Sequence, residues 1–194
     1  MIKNNIRRES YLKFLNTWKN RDLIKVLSGV RRSGKSTLLA MFQQDLKEQG
    51  VQDENIIAIN FEYMEFEELT DYRKLHDYVL SKVDKNKKNY VFLDEIQHVQ
   101  NFEKVVDSLY IRDYIDLYIT GSNAFFLSGE LATLLTGRYI EQHVLPLSFQ
   151  EFKQWHTENN PTIQQLSNRD LYAMYTRSSF PYTLAMTNQQ ETYD

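Results

Sequence analysis

The residues with the most chemical content lie in "GVRRSGKS", Gly29 to Ser36, which fits the pattern G-x-x-x-x-G-K-[ST]. Three cations, Arg31, Arg32 and Lys35, stand where a helix should begin, although a helix start already repels positive charge. An anion resolves the conflict. Glycines let the backbone wrap a phosphate and turn successive N–H groups inward. The helix start adds its partial positive charge to the same point. In this pattern Lys35 reaches the terminal phosphates and the Ser36 hydroxyl ligates Mg²⁺. The expected guests are ATP and Mg²⁺, with Gly29, Val30, Arg31, Arg32, Ser33, Gly34, Lys35, Ser36 and Thr37 as the candidate binding residues. Arg31 and Arg32 are open between a phosphate, a neighbouring segment and solvent.

A phosphate loop needs a partner that holds the metal and orients water. "YVFLDE" supplies one, with four apolar residues and then Asp94 and Glu95. Asp94 is expected to hold Mg²⁺ through its water shell. Glu95 is expected to polarise the attacking water as the catalytic base. Phosphoryl transfer relies mainly on positioning and charge neutralisation, so this short set is chemically sufficient. A polar group in "TGSNA" should lie beside these acids and sense the γ-phosphate, with Asn123 first and Ser122 second; helix capping is the competing role. Arg138 is a candidate for stabilising transition-state charge, in cis or from a neighbouring subunit, against an ordinary salt bridge at a helix end. Asn60 or Glu62 is a candidate to pair with Glu95 and hold it off line.

These residues need a frame that brings them together. Short apolar runs alternate with helix-period segments, the signature of a parallel α/β sheet. Helices are expected over residues 6–18, from Lys35, over residues 71–84 and around Phe102–Leu109. Strands are expected at "LIKVLSG", "NIIAINFE", "NYVFLDE", "DLYITGSN" and "RYIEQHVLPL", and a short helix at "SGELATLLTG". Five strands with right-handed crossovers make a doubly wound sheet, and ligands bind beyond its C-terminal strand ends. The pattern turns helical and polar after about residue 148. Residues 1–147 therefore read as a core with an N-terminal helix, and residues 148–194 as the start of an incomplete second unit.

The chain of 194 residues is 42% hydrophobic and 25% charged, the profile of a soluble globular protein. It has no cysteine, which excludes disulfides and thiolate zinc sites and suits a cytoplasmic location. Its apolar runs are too short for a membrane helix of ~20 residues. Residues 1–48 hold 11 Lys+Arg against 4 Asp+Glu, a balance of +7 within a net charge of −3. That basic quarter faces either nucleic acid or the small anion site.

"IRRESYLKFLNTWKNRDLIKVLSGVRRSGKSTLL", "YVFLDEIQHVQNFEKVV", "LYITGSNAFFLSGELATLLTGRYIEQHVLPLSFQEF" and "SSFPYTL" together resemble the prokaryotic AAA-superfamily ATPases that carry a C-terminal domain of unknown function. The resemblance covers residues 1 to about 185. It implies a P-loop NTPase three-layer sandwich with a parallel sheet ordered 5-1-4-3-2, and ATP hydrolysis with Mg²⁺. It makes Lys35 and Ser36 the Walker A pair, Asp94 and Glu95 the Walker B pair, Asn123 or Ser122 the sensor position, and Arg138 the arginine finger of a homo-oligomer. Family members usually have Gly-Gly before the late Phe-Pro, whereas Ser178 and Ser179 stand here, so that junction departs from the pattern. The expected function is a Mg-dependent ATPase module coupled to a partner or a missing C-terminal domain. The alternative is a nucleotide-dependent switch that binds DNA or a regulatory protein partner. A GTPase is disfavoured because "NKKN" lacks the aspartate of a guanine reader, and a small-molecule kinase because no acceptor motif is present.

Overall fold

The computed structural model describes residues 6–122, 135, 137–159 and 166–185. Helix α1 (Glu9–Trp18) precedes strand β1 (Ile24–Ser28), and α2 (Lys35–Glu48) follows the phosphate loop. The alternation continues through β2 (Ile56–Asn60), α3 (Tyr72–Lys82), β3 (Asn89–Asp94), α4 (Phe102–Tyr110) and β4 (Ile115–Thr120). Strand β5 (Tyr139–His143) leads to α5 (Phe149–Asn159) and α6 (Asn168–Tyr175). Helix α3 starts where Asp71 caps it, its carboxylate accepting from the Arg73 and Lys74 N–H groups at 2.9 and 3.1 Å. The expected helix over "SGELATLLTG" lies almost wholly outside the described residues.

All strand pairs are parallel, in the order β2-β3-β4-β1-β5. This is the expected 5-1-4-3-2 order seen from the other edge. Strands β1, β3 and β4 are buried along their whole length, whereas the edges β2 and β5 are partly exposed. Central strands of a parallel sheet are covered on both faces, which explains their unbroken apolar runs.

Side chains alternate between the two faces and give two separate cores. On one face Leu27, Tyr90, Phe92 and Tyr118 pack against Leu12 and Leu15 of α1 and Leu38, Leu39, Phe42 and Leu46 of α2. On the other, Val26, Val91, Leu93, Leu117 and Ile119 meet Leu75 and Val79 of α3 and Val105, Val106 and Leu109 of α4. The result is a three-layer sandwich. Phe92 stacks on Tyr118 with centroids 4.8 Å apart, and Phe42 tilts onto Tyr118 at 5.3 Å, forming an aromatic layer midway along the strands. A smaller cluster joins Leu147, Phe152, Trp155 and Leu184 to Ile6, Met174 and Tyr175. No helix among the described residues is long and apolar enough to cross a membrane.

Part of the basic N-terminal quarter is turned inward or paired, while Lys13 and Arg21 are exposed. Lys25, Lys35 and Arg8 are buried. Arg7 makes a two-pronged contact with Asp45 at 2.9 and 2.8 Å, and Lys47 pairs with Asp53 at 3.0 Å. Arg31 and Arg32 are exposed.

Candidate functional site

Register decides which polar side chains meet. Asn60 pairs with Asp94 across β2 and β3, and Leu27 with Thr120 across β1 and β4. Four strand ends therefore lie level, with the loop after β1 between them. Gly29 opens that loop at φ 147°, and a Cβ there would sit 2.3 Å from the Val144 carbonyl oxygen. Only glycine tolerates that approach of the chain leaving β5. Gly34, at φ 97°, turns the loop into α2.

Lys35 is 3% exposed and folds back over the loop. Its ammonium donates to the Gly29 and Val30 carbonyls at 3.2 and 3.3 Å and faces Glu95 Oε1 at 3.5 Å. Long, shared contacts of this kind are weaker than an ideal ion pair. Ser33 Oγ is buried without a partner among the described residues.

Asp94 is held from three sides. The Thr120 hydroxyl donates to Oδ1, the Asn60 amide donates to Oδ2 at 2.9 Å, and the Ser36 hydroxyl also hydrogen-bonds it. Burial raises its pKa above the ordinary carboxylate value, against the pull of the Thr120 and Ser36 hydrogen bonds. The Thr120 hydroxyl also accepts from the Glu95 N–H at 2.9 Å. One hydroxyl thus fixes the side chain of Asp94 and the backbone of Glu95. Glu95 itself takes a left-handed conformation, φ 58°, as β3 ends. Its Oε2 accepts from the Gln97 amide.

Arg8 reaches the loop from outside the motif. Its guanidinium donates to the Ser33 carbonyl at 3.2 Å, to the Leu145 and Pro146 carbonyls at 2.8 and 3.2 Å, and to Glu151 at 2.8 Å. It also stacks over the Tyr11 ring, 4.4 Å from the centroid. Burial opposes ionisation of Glu151, yet the bonds from Arg8 and the Ser148 N–H hold its carboxyl below the usual range. Beside Gly34 and Thr37 lies a cavity of about 20 Å³, walled by Ile6, Met41, Pro181 and Leu184. A larger groove of about 1010 Å³ runs between residues 6–11 and α5, and the phosphate loop does not line it.

The family model described as "AAA domain" matches residues 21–153. The chain belongs to the AAA domain family. It is 44% identical to an uncharacterized protein of Haemophilus influenzae over 183 residues, covering 93% of this chain and 45% of that protein. It is 38% identical over 141 residues to an uncharacterized protein of Methanocaldococcus jannaschii, covering 70% of this chain and 29% of that protein. The chain thus spans less than half the length of these relatives. Among solved structures, the Walker-type ATPase of Pyrococcus abyssi shares the fold at a TM-score of 0.62 and 17% identity, over 94% of this chain and 66% of that one. Cdc6p of Pyrobaculum aerophilum is similar at a TM-score of 0.62 and 13% identity, over 91% of this chain and 56% of that one.

In this AAA domain the structure brings Lys35, Ser36, Asp94 and Glu95 together. It does not bring Arg138 to them. Arg138 precedes β5 and its carbonyl accepts from the Ile24 N–H, so it stands at the N-terminal end of the sheet. A strand of five residues, roughly 16 Å, separates it from the loop. Its guanidinium pairs with Asp107 on α4. A role in cis is therefore ruled out by parallel topology. Asn60 does not pair with Glu95, because register places it opposite Asp94, and Glu62 donates its N–H to Asn60 Oδ1 at 2.9 Å. Helix α1 packs on the strands and α2 through Leu12 and Leu15 and does not cover the loop; Ile6 and Arg8 do. Asn123 lies outside the described residues, and Ser122 follows the end of β4 half-buried. Thr120, in the same "TGSN" stretch, makes the contacts with the acids. Its signal was its place as the last residue of a buried strand, level with Asp94. Arg8 and Gln97 carried no comparable signal.

Proposed function

We propose that this AAA domain binds ATP with Mg²⁺ and hydrolyses it to ADP and phosphate. The observation that carries the reading is the convergence of Lys35, Ser36, Asp94 and Glu95 beyond the C-terminal ends of the strands. Lys35 leaves its long contacts with loop carbonyls and Glu95 for the terminal phosphates. Ser36 and Asp94 offer hard oxygen donors already hydrogen-bonded to each other, which fits Mg²⁺ coordination completed by water and phosphate. When bound, the cation neutralises developing phosphate charge. Thr120 and Asn60 keep Asp94 aimed, and Glu95 accepts a proton from the attacking water.

Arg138 fits this chemistry only across a subunit boundary, in a homo-oligomer. The unit from residue 148 onward, with α5 tied to the loop through Arg8, is the natural route to a partner or further domain. For the DNA-binding alternative the charge balance overstates the available surface, because Lys25, Lys35 and Arg8 are buried, but Lys13, Arg21, Arg31 and Arg32 are exposed. The test is phosphate release by purified protein with ATP and Mg²⁺. Release that requires Mg²⁺ and is lost in Lys35→Ala supports the reading; release unaffected by Lys35→Ala overturns it.

A further inference from the structure

Glu95 is 8% exposed at its side chain, and its two carboxylate oxygens have different partners. Oε1 faces Lys35 at 3.5 Å. Oε2 accepts from Nε2 of Gln97, two residues along the chain. A single tight turn, Ile96–His98, makes that reach possible. Its backbone closes through His98 N–H to the Glu95 carbonyl at 3.2 Å and Val99 N–H to the Ile96 carbonyl at 3.0 Å. Fully buried Ile96 anchors the turn in the core below the sheet ends.

The Gln97 amide is oriented by chemistry. Rotating it by half a turn would place its carbonyl oxygen against a carboxylate, two acceptors facing each other. The present orientation leaves Oε1 buried without a partner among the described residues. Buried acceptors are normally satisfied, so an orphan here marks a group held for another purpose. That purpose is the donor it keeps on Glu95.

The two contacts on Glu95 respond differently to nucleotide. The Lys35 contact is long and shared with two loop carbonyls, so an arriving triphosphate competes it away. The Gln97 contact lies within one turn and does not depend on the loop. Asn60 cannot substitute, because its amide is committed to Asp94.

We propose that Gln97 is the positioning residue of Glu95. It retains Oε2 after Lys35 departs, and so turns Oε1 toward the attacking water. This rests on the ATPase reading above. It also assigns the Asp-Glu-Ile-Gln run a division of labour: Asp94 toward the metal, Glu95 toward water, Ile96 as anchor and Gln97 as the guide of Glu95.

The experiment is steady-state hydrolysis of ATP by wild type, Gln97→Ala and Gln97→Glu, with nucleotide affinity measured separately by calorimetry. Gln97→Ala is expected to lower kcat about 10- to 100-fold, the effect of a slightly misplaced reacting group. KM and nucleotide affinity should stay within about twofold, because the hydrogen bond of Gln97 goes to Glu95 and not to the phosphate loop. Gln97→Glu keeps the length of the side chain but replaces the donor with an acceptor, and should lose kcat at least as far as Gln97→Ala. A structural role alone would move KM and nucleotide affinity together with kcat. Gln97→Ala with wild-type kcat overturns the role of Gln97 and leaves the ATPase reading intact. Nucleotide binding without phosphate release by wild type or Gln97→Ala overturns both.

Discussion

Two lysine–carboxylate pairs lie on opposite ends of the same sheet. Lys25 and Asp116 sit near the N-terminal ends of β1 and β4, 0% and 1% exposed at their side chains. Lys35 and Glu95 sit beyond the C-terminal ends, 3% and 8% exposed. At the first pair every polar atom is used. Lys25 also donates to the Arg21 carbonyl at 2.8 Å, and Asp116 Oδ2 accepts from the Tyr118 hydroxyl at 2.8 Å and the Asn20 N–H at 2.9 Å. Tyr90 extends the network to Asn20 at 3.1 Å. At the second pair the ions stand 3.5 Å apart, and Ser33 Oγ and Gln97 Oε1 nearby lack partners among the described residues. A saturated network has nothing left to offer a ligand. An unsaturated one at equal depth is costly in the empty protein and is relieved by what it binds. The aromatic layer of Phe42, Phe92 and Tyr118 separates the two.

Substitutions at the two ends should separate activity from stability. The largest effect is expected at the open end: Glu95→Gln should slow phosphate release about 10²- to 10⁴-fold while nucleotide still binds, checked by single-turnover assay and calorimetry. Its melting temperature should stay near wild type. At the closed end Asp116→Ala should do the reverse. It strands a buried ammonium and should cost about 3–5 kcal/mol, measured by urea unfolding. Turnover by the protein that remains folded should be unchanged. Adding Lys25→Met to Asp116→Asn removes both charges, keeps an acceptor for Tyr118 and Asn20, and should recover most of the loss.

Asp94 sharpens the comparison through pH. Burial is the main cause of its raised pKa. A raised carboxyl contributes stability that is complete below the unfolded value of 3.8 and is lost as pH rises through the folded value. Charged Asp94 is therefore a liability of the empty site at neutral pH. Asp94→Asn should raise the melting temperature of nucleotide-free protein at pH 7, with the gain shrinking toward pH 4. It should also remove the Mg²⁺ dependence of nucleotide affinity. The smallest effect belongs to Arg138, whose partner Asp107 is equally exposed. Arg138→Ala should cost at most about 1 kcal/mol. If Arg138 acts across subunits, the variant loses only the part of turnover that grows with protein concentration, which a dilution series reads.

The sheet order, the phosphate loop and the paired acids were legible because each is written in a few adjacent residues. Apolar runs mark the strands, and the loop pattern marks its own turn. What was not legible depended on register or long-range contact. Asn60 was expected near Glu95 and is bonded to Asp94, because strand pairing sets which of two consecutive acids it meets. Arg8 finds partners 25, 137 and 143 residues away, and no local pattern announces that. Arg138 was left open between cis action, a neighbouring subunit and a salt bridge, and topology removes the first: a residue just before a parallel strand stands at the end opposite the phosphate loop.

Arg8 also bears on where the working module begins. The AAA domain match starts at residue 21, after α1. A fragment trimmed to that point would lose the guanidinium that serves the Ser33, Leu145 and Pro146 carbonyls and Glu151. Its phosphate loop would still have every residue of the motif and would lack the clamp that ties it to the chain leaving β5. The portable piece of this protein is therefore longer than the stretch by which it is recognised, and it includes Arg8, which stands ahead of the first helix.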